Sequence, residues 1–354
     1  MTTFNVTRSS VLKTKPDQNK LGFGIYFTDH MAIVDYQEGK GWFNPRIEPY
    51  QPMSVEPSNM VFHYGQAVFE GLKAYLSKKG EILLFRPDKN MARMNASSER
   101  LCIPTIDVNL AMELLDQLLR LEKEWIPSQP GTSLYVRPFI IAMDNMLGVR
   151  PSHTYRFMII LSPVGAYYPE GLNPVTIYVE NEFVRAVRGG LGTAKTPANY
   201  AASLKAQMEA KKHGYTQVLW LDGVERKYVD EVGTMNVFFK IDGEVVTPEL
   251  NGCILEGITR DSCLALLKNW KYNASERKIS IDEIVNAHLN GKLEEAFGTG
   301  TAAVISPIGE LILNDRHLVI GDRRIGPVSR KLYDTITAIQ IGEAPDPFGW
   351  VRNV

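Results

Sequence analysis

The feature that most constrains the fold is the pairing of short β-rich segments through tight turns. Residues 72–85 read LKAYLSKKGEILLF, two apolar runs around a Lys-Lys-Gly turn, and residues 235–248 read MNVFFKIDGEVVTP, with a turn at Asp242 and Gly243. Such turns join antiparallel neighbours. The regular strand–helix alternation that a Rossmann fold requires is missing from the sequence. We therefore predict an α+β fold built around antiparallel hairpins.

The length of the chain predicts two domains. A chain of 354 residues exceeds what one ordinary hydrophobic core holds together. The segment PVGAYYPEGLNP, residues 163–174, carries three prolines and two glycines, a composition typical of a boundary. We place an N-terminal domain at residues 1–163, an interdomain linker at 164–174 and a C-terminal domain at 175–354.

Hydrophobic spacing predicts the main elements of both halves. In residues 107–126 leucines recur every three or four positions up to Trp125, which indicates a helix with Asp107 as its N-cap. Short apolar runs typical of buried strands occupy residues 133–143, 154–163, 175–180 and 216–223, and further helices are predicted at 257–270 and 327–342.

Composition excludes several kinds of partner. The net charge of −1 gives no reason to expect nucleic acid or an anionic membrane surface. No run of eighteen apolar residues is present, so we expect no membrane span, and the N-terminus lacks the apolar core of a secretory signal. The three cysteines are odd in number and lack metal-ligand spacing, which favours a reducing cytoplasm.

The motifs of common nucleotide and hydrolase sites are missing, which narrows the choice of chemistry. The chain holds no GxxxxGK[ST], HExxH or GxSxG, and FGTGTAAV at residues 297–304 lacks the third glycine of a dinucleotide fingerprint. The six histidines are scattered, so we expect no metal site. A lysine remains the most interesting candidate nucleophile.

Lys195 is that candidate. It lies in GGLGTAKTPANYAASLKAQMEAKKHG, residues 189–214, between a glycine-rich turn and an amphipathic helix, and no carboxylate occurs within four residues on either side. The segment alone leaves two readings open, a solvated loop cation or a buried amine that forms an imine with a carbonyl cofactor.

Pyridoxal phosphate is the usual carbonyl partner, and it needs further groups. A carboxylate must face its ring nitrogen, a hydroxyl its phenolic oxygen, and amides with an arginine its phosphate. Tyr200 opens the helix after Lys195, and Glu231 precedes a Gly-Thr turn into an apolar strand. Residues 257–259 begin a predicted helix, and 297–304 form a turn with amides suited to a carboxylate. Taken singly, each feature has an ordinary explanation. Tyr200 also fits a surface aromatic residue, Glu231 an exposed charge in a hairpin, and residues 257–259 an ordinary helix cap.

These segments resemble the branched-chain amino acid aminotransferases, which are fold-type-IV pyridoxal-phosphate enzymes of D-amino acid aminotransferase-like fold. The resemblance implies a smaller N-terminal α/β domain and a larger C-terminal domain with a β-barrel-like core that carries the lysine. In the second half the similar stretches are GTAKTPANYAASLKAQ, VLWLDG, DEVGTMNVFF, ILEGITRD and FGTGTAAVISP. In the first half they are FHYGQAVFEGLKAY, LFRPDKNMARMNASSERLCIP and YVRPFI. The resemblance covers residues 22–342, nearly the whole chain, and several stretches exceed eight residues.

The resemblance implies a role for each matching position. It implies that Lys195 forms the Schiff base and then moves the proton at the substrate Cα. Glu231 is the implied partner of the pyridine nitrogen. The implied cofactor-binding residues are Arg86, Lys195, Tyr200, Glu231, Thr234, Ile258, Thr259 and Thr301. The implied substrate-binding residues are Tyr64, Phe69, Tyr135, Arg137, Tyr167, Thr301 and Ala302.

The resemblance also implies the reaction, a ping-pong transfer of the amino group between L-leucine, L-isoleucine or L-valine and 2-oxoglutarate. It implies a homodimer with shared active sites. Two alternatives stay open at this point. A lyase or a D-amino acid aminotransferase would use the same lysine, tyrosine and glutamate with another pocket, and a catalytically idle relative would bind the cofactor or a partner protein without turnover.

Overall fold

The computed structural model describes residues 4–165 and 172–354, and their contacts group them into two compact units. The first unit takes in residues 4–165, 194–197 and 338–354, and the second takes in 172–193 and 198–337. The predicted domain limits stay a prediction. Contacts show which unit a residue packs in, and they do not test whether a domain folds independently. Most of the predicted linker lies outside the described residues.

Strands dominate the described part of the chain. Its helices are α1 (Met60–Tyr64), α2 (Pro87–Arg100), α3 (Val108–Leu121), α4 (Pro197–Lys212), α5 (Ile258–Asn269), α6 (Ile281–Leu289) and α7 (Pro327–Gln340). Its strands are β1 (Asn5–Val6), β2 (His30–Gln37), β3 (Gly41–Pro49), β4 (Ala67–Phe69), β5 (Leu72–Leu76), β6 (Ile82–Phe85), β7 (Ser133–Ala142), β8 (Thr154–Val164), β9 (Val175–Glu180), β10 (Gln217–Leu221), β11 (Val229–Val232), β12 (Asn236–Ile241), β13 (Glu244–Thr247), β14 (Ala274–Glu276), β15 (Leu293–Gly300), β16 (Val304–Leu313), β17 (Arg316–Val319) and β18 (Val351–Asn353).

The first unit is built on a nine-stranded sheet in the order β1-β3-β2-β8-β7-β5-β6-β18, with β4 paired to β7. The predicted hairpin is confirmed, since β5 pairs antiparallel with β6, and β7 pairs antiparallel with β8 as expected. From Leu134 onward buried and half-buried residues alternate along β7, so one face of this strand is covered by the core and the half-buried face carries Tyr135 and Arg137 beside two apolar side chains.

Helix α3 belongs to the core of this unit and shows why the leucine spacing is informative. Leu114 and Leu118 are fully buried, and each contributes roughly 2 kcal/mol of transfer free energy. Asp107 is the N-cap, and its carboxylate accepts from Asn109 N–H at 2.8 Å. The predicted extension to Trp125 is wrong. The α-helix ends at Leu121, and a 3₁₀ turn follows in which the Trp125 indole donates to the Asp29 carboxylate.

The second unit has its own nine-stranded sheet, ordered β11-β10-β9-β16-β15-β12-β13-β14, with β17 beside β16. The hairpin of β12 and β13 is confirmed, and both turn residues, Asp242 and Gly243, have positive φ as its tight turn requires. Parallel pairs also occur in this sheet, since β13 and β14 are parallel with α5 between them, and β9 is parallel to β16. Strands β9 and β10 are parallel, and α4 is the crossover between them.

Two local expectations for the second unit need correction. The buried stripe of α4 consists of Asn199, Ser203, Ala206 and Ala210, while its larger apolar side chains Leu204 and Met208 are exposed. Helix α4 is therefore not amphipathic in the predicted sense, because small residues form its buried face. The stretch 297–304 is also not one turn, because residues 297–300 continue β15 and only 301–303 turn before β16.

Candidate active site

Lys195 is fixed by hydrogen bonds within the first unit on both sides of its peptide. Its N–H donates to Ser97 Oγ at 2.9 Å, across 98 positions of sequence, and its C=O accepts from Phe69 N–H at 3.0 Å. The next residue, Thr196, donates its hydroxyl to Ala67 C=O at 2.9 Å. Because Ser97 is on α2 and Phe69 is in β4, one helix and one strand hold this segment, and Lys195 is half-buried, not a solvated loop tip.

Phe69, Tyr135 and Arg137 form one cluster beside this lysine. The Lys195 amine is 5.2 Å from the centroid of the Phe69 ring, and the Arg137 guanidinium carbon is 4.7 Å from the same centroid. Arg137 donates to the Tyr135 hydroxyl at 3.0 Å, since both side chains leave the same face of β7. A side chain at Gly71 would approach that hydroxyl to 2.0 Å, so only glycine leaves room for Tyr135 there.

Arg86 stands directly before α2 in a left-handed conformation, with φ 50° and ψ 44°. That conformation is costly for a residue with a side chain and is held by its surroundings. Its N–H donates to Trp350 C=O at 2.8 Å, and its guanidinium carbon lies 5.3 Å from the centroid of the Trp350 ring. Pro87 then supplies the first helical position. The strained backbone places a buried arginine at the start of a helix.

Glu231 lies on β11 in the second unit and is only 2% exposed. Its Oε2 is 2.6 Å from Arg185 Nη1, and its Oε1 accepts from Asn236 Nδ2 at 3.1 Å. The same Arg185 nitrogen donates to Cys253 C=O at 3.0 Å. A buried carboxylate needs such partners to remain charged. Arg185 was not among the predicted residues, and its only signal in the sequence is a basic residue in the connection between a strand and the lysine.

Asp230, next to Glu231, has an unusual titration. Burial raises the pKa of Asp230 to about 6, and a hydrogen bond from Asn251 lowers it only in part. Since the pKa in the unfolded chain is near 3.8, the folded state binds the proton more tightly. Stability is therefore lost as pH rises from about 4 through about 6.

We expect the Asp230→Asn variant to gain about 2 kcal/mol of unfolding free energy above pH 6 and almost nothing below pH 4. Urea denaturation of the cofactor-free protein across this range measures the difference. Asp144→Asn is the opposite control, because hydrogen bonds from His153 and Thr154 outweigh burial and lower the pKa of Asp144 to about 2. That variant should lose stability above pH 4. A constant difference for Asp230→Asn would contradict the expectation.

Helix α5 begins at Ile258 without a side-chain cap. Its N-cap is Gly257, where a Cβ atom would approach Asn236 Oδ1 to 1.8 Å, so glycine allows the asparagine side chain to lie against the helix start. Ile258 is half-buried and Thr259 is 8% exposed. The first turn of such a helix, with its N–H groups and positive dipole end, suits an anion.

The turn after β15 and the turn after β11 carry further predicted residues. Thr301 and Ala302 are half-buried in the turn between β15 and β16. Side chains at Gly298 or Gly300 would approach Met235 to 2.8 and 3.2 Å, so these glycines let the methionine lie against β15. Thr234 is exposed in the turn that precedes Met235.

Three predicted tyrosines have different placements. Tyr200 is half-buried in the first turn of α4, and its C=O accepts from the Ser203 hydroxyl at 2.8 Å. Tyr64 ends α1 and is 40% exposed, and Tyr167 lies outside the described residues. The predicted roles of all the site residues stay predictions at this point.

Two charged residues that follow Phe69 in the sequence were missing from the predicted set. Glu70, directly after Phe69, is fully buried against Arg93. Lys73 lies opposite Tyr135 in the β5–β7 pairing, and burial lowers the pKa of Lys73 to about 8. Both lie in FEGLKAY, where a charged residue every third position among apolar neighbours was the available signal.

Residues 4–165 and 172–354 lack the features of two other kinds of site. No helix in these ranges is long and apolar enough to cross a bilayer. The same residues bring together no three histidine, cysteine, aspartate or glutamate side chains in a manner that could hold a metal ion.

A comparison with protein-family profiles identifies the class of protein to which this fold and its lysine segment belong. The profile described as Amino-transferase class IV matches residues 67–311. The chain belongs to this family. The match spans Phe69, Lys195, Glu231 and the turn at 301–303, and it confirms the resemblance found in the sequence motifs together with the fold-type-IV α+β architecture.

Individual relatives are similar over nearly the whole chain. Branched-chain-amino-acid aminotransferase 2 of Bacillus subtilis (strain 168) is 61% identical over 352 residues, 99% of this chain and 97% of the relative. Among solved structures, the branched-chain amino acid aminotransferase of Escherichia coli has a TM-score of 0.75 and 28% identity, covering 90% of this chain and 98% of that chain. The branched-chain amino acid aminotransferase from Thermobaculum terrenum in its PLP form has a TM-score of 0.74 and 25% identity, covering 91% of this chain and 97% of that chain.

Proposed function

We propose that this protein is a pyridoxal-phosphate-dependent branched-chain aminotransferase that moves the amino group between L-leucine, L-isoleucine or L-valine and 2-oxoglutarate. The observation that carries the proposal is the setting of Lys195. Hydrogen bonds with Ser97 and Phe69 fix its backbone, and its amine lies over an aromatic ring. A lysine held in this way has a defined position for covalent chemistry. The similarity to branched-chain aminotransferases over nearly the whole chain supports the reaction class.

The residues present fit pyridoxal phosphate by the chemistry of their donors. The cofactor's aldehyde matches the Lys195 amine, and its phosphate matches the buried Arg86 guanidinium and the uncapped start of α5 at Ile258 and Thr259. Its ring nitrogen matches the buried Glu231 carboxylate. When bound, the cofactor supplies an aldehyde for the amine and an electron-withdrawing ring for the substrate Cα.

Each protein group then has a definable task. The Lys195 amine would accept the proton from the Cα of the donor amino acid in one half-reaction. In the other half-reaction it would return a proton to the Cα of the amino acid that is formed. Glu231, which contacts Arg185 and Asn236, would face the ring nitrogen and favour its protonated form. The Tyr200 hydroxyl would donate to the phenolic oxygen, and the Thr234 hydroxyl would contribute to cofactor binding.

The substrate-binding residues divide by polarity. Tyr64 and Phe69 would form apolar walls, where a leucine, isoleucine or valine side chain gains roughly 2 kcal/mol on leaving water. The amides of Thr301 and Ala302 bind the α-carboxylate.

Glutamate, the second amino acid of the reaction, places a different demand on the pocket. Its γ-carboxylate needs hydrogen-bond donors in a site that otherwise favours apolar side chains. Tyr135 and Arg137 supply a phenol and a guanidinium that are already joined by a hydrogen bond. We therefore assign the second carboxylate to this pair.

The proposed substrate class is tested by kcat/KM for a panel of donors and acceptors. We expect L-leucine, L-isoleucine and L-valine to exceed D-alanine by at least about 10²-fold, since the apolar pocket and the position of the lysine fix both side chain and chirality. A series of branched 2-oxo acids with glutamate as donor gives the order of preference. Preference for D-alanine, or product from aminodeoxychorismate, would replace this function by a D-amino acid aminotransferase or a lyase. No conversion with any donor would indicate an idle relative.

The setting of the enzyme in the cell is part of the same proposal. We propose a homodimer in which each protomer contributes to its partner's substrate pocket, as the family resemblance implies, and a cytoplasmic location. Sedimentation equilibrium at increasing protein concentration measures the first. A monomeric protein with full activity would contradict shared sites.

A further inference from the structure

Gly71 determines how much space the Tyr135 side chain has. A Cβ atom added at Gly71 would lie 2.0 Å from the Tyr135 hydroxyl oxygen and 2.9 Å from the ring carbon that carries it, both closer than a non-bonded contact allows. The φ angle of Gly71 lies outside the left-handed region, so alanine can adopt the same backbone conformation. The missing side chain at this position therefore serves the tyrosine and not the backbone.

The backbone of Gly71 is fixed on both sides. Its N–H donates to Glu70 Oε2 at 3.2 Å, and its C=O accepts from Asn90 Nδ2 at 3.3 Å. Glu70 is itself fully buried and is bound at two points by Arg93, at 2.7 and 2.9 Å. Strands β4 and β5, which end before and begin after the pair of residues 70 and 71, both pair with β7. A side chain at position 71 would therefore displace the tyrosine and not the backbone.

The Tyr135 side chain is held by other contacts as well. The ring of Phe23 meets it edge-on, with centroids 5.0 Å apart. Its hydroxyl oxygen accepts a hydrogen bond from Arg137 Nη2 at 3.0 Å. Because Arg137 is the donor in this bond, the tyrosine retains its own hydroxyl proton for another acceptor. The hydroxyl group thus has a defined position between Gly71 and Arg137.

A phenol beside a guanidinium distinguishes acidic from apolar side chains. A carboxylate can accept from both groups at once, and each hydrogen bond is strengthened by charge. A hydrocarbon side chain makes neither bond. Displacement of the Tyr135 hydroxyl removes one of the two donors and also the contact that orients Arg137. Such a change weakens the binding of a carboxylate more than that of an apolar group.

We propose that Gly71 is a specificity-determining residue, whose lack of a side chain places the Tyr135 hydroxyl beside Arg137 so that the pair binds the second carboxylate of dicarboxylic amino and 2-oxo acids. The proposal rests on the proposed function in one respect, the assignment of that carboxylate to Tyr135 and Arg137. Gly71 acts through Tyr135 and is therefore a positioning residue.

The first test measures selectivity with the full-length, cofactor-loaded enzyme. In a ping-pong reaction kcat/KM of each acceptor reports its own half-reaction, so 2-oxoglutarate and the 2-oxo acid of leucine are measured separately. Gly71→Ala should lower the ratio of the two values, 2-oxoglutarate over the branched acid, by about 10-fold. Tyr135→Phe should lower it by a similar factor. The double variant should be no worse than Tyr135→Phe, because alanine then has no hydroxyl to displace.

The second test measures the steric conflict without turnover. Urea unfolding of the cofactor-free protein should show a lower midpoint for Gly71→Ala, because the added methyl group overpacks a fixed site. The same substitution in the Tyr135→Phe background should lower the midpoint less, since the atom that would lie at 2.0 Å is then absent. Comparison of the two backgrounds removes the general effect of alanine on the unfolded chain.

Gly165→Ala is the matched control in the same unit. Its φ angle also lies outside the left-handed region, and the atoms nearest to an added Cβ lie at 3.8 Å, an ordinary contact. It should change neither the selectivity ratio nor the dependence of the midpoint on residue 135. If Gly71→Ala does not fold, the double variant decides. A folded double variant with the selectivity of Tyr135→Phe supports the proposal, and one that also fails to fold contradicts it.

An unchanged ratio in folded Gly71→Ala overturns the proposal. The same holds if the double variant loses selectivity by the product of the two single effects, because the glycine would then act independently of the tyrosine. Failure of the proposed function is recognised separately. It would show as an unmodified, cofactor-loaded protein that converts neither acid, whatever the unfolding midpoints are.

Discussion

Replacement of Lys195 by alanine will abolish transamination and, at the same time, the visible absorbance that borohydride reduces. In the proposed function both depend on one amine, which would form the bond to the cofactor and carry the proton at Cα. The fold should survive, since the backbone bonds to Ser97 and Phe69 need no side chain at position 195. Absorption spectra before and after reduction, with leucine turnover, measure the result.

Lys73→Ala is the matched control for this variant. Burial lowers the pKa of Lys73 to about 8, so Lys73 is a second amine of the first unit that is partly neutral near physiological pH. We expect Lys73→Ala to keep the reducible absorbance. If instead Lys195→Ala kept it and Lys73→Ala lost it, the covalent site would be assigned to Lys73.

Replacement of Glu231 by glutamine will lower kcat by about 10³-fold while the cofactor stays bound. Glutamine keeps the size and one acceptor but not the charge that holds a proton on the ring nitrogen, so the ring loses much of its capacity to withdraw electrons. The proposed covalent link to Lys195 and the proposed phosphate contacts do not involve Glu231, so the cofactor content measured by absorbance should match that of the unmodified protein.

Glu295→Gln is the control for Glu231→Gln. It shows whether an effect on kcat comes from the charge at position 231 or from the loss of any buried carboxylate. Glu295 is similarly buried in the second unit, but its oxygens accept from Val328 N–H and Ser329 N–H at the start of α7. Its replacement should lower the unfolding free energy by roughly 1 kcal/mol and leave kcat within a few-fold. Equal effects of the two substitutions on kcat would contradict the role of Glu231.

The elements that sequence predicted well are those with a local physical cause. Asp242 and Gly243 adopt the positive φ angles that a tight hairpin requires, and Asp107 caps α3, because both depend on residues a few positions away. The end of α3 was misjudged since the Trp125 indole is drawn to Asp29, 96 positions earlier. The buried face of α4 was hidden because small residues, not large apolar ones, form it.

For the candidate site, too, local patterns and long-range contacts differ in how far the sequence reveals them. The chemistry of a carbonyl cofactor and the family resemblance single out Lys195, Glu231, Tyr200 and Arg86, and the roles of these residues stay predictions. The supporting contacts were not predictable. The pairing of Arg185 with Glu231 and the binding of Ser97 to Lys195 join residues far apart in sequence, so neither leaves a local pattern.

The central claim is that Lys195 is the amine that binds pyridoxal phosphate. The most direct measurement is borohydride reduction of the cofactor-loaded protein, followed by proteolysis and mass spectrometry of the lysine-containing peptides. The account predicts a phosphopyridoxyl mass on the peptide that contains Lys195 and on no other peptide. A label on a different lysine, or a reduced protein without any label, would contradict it.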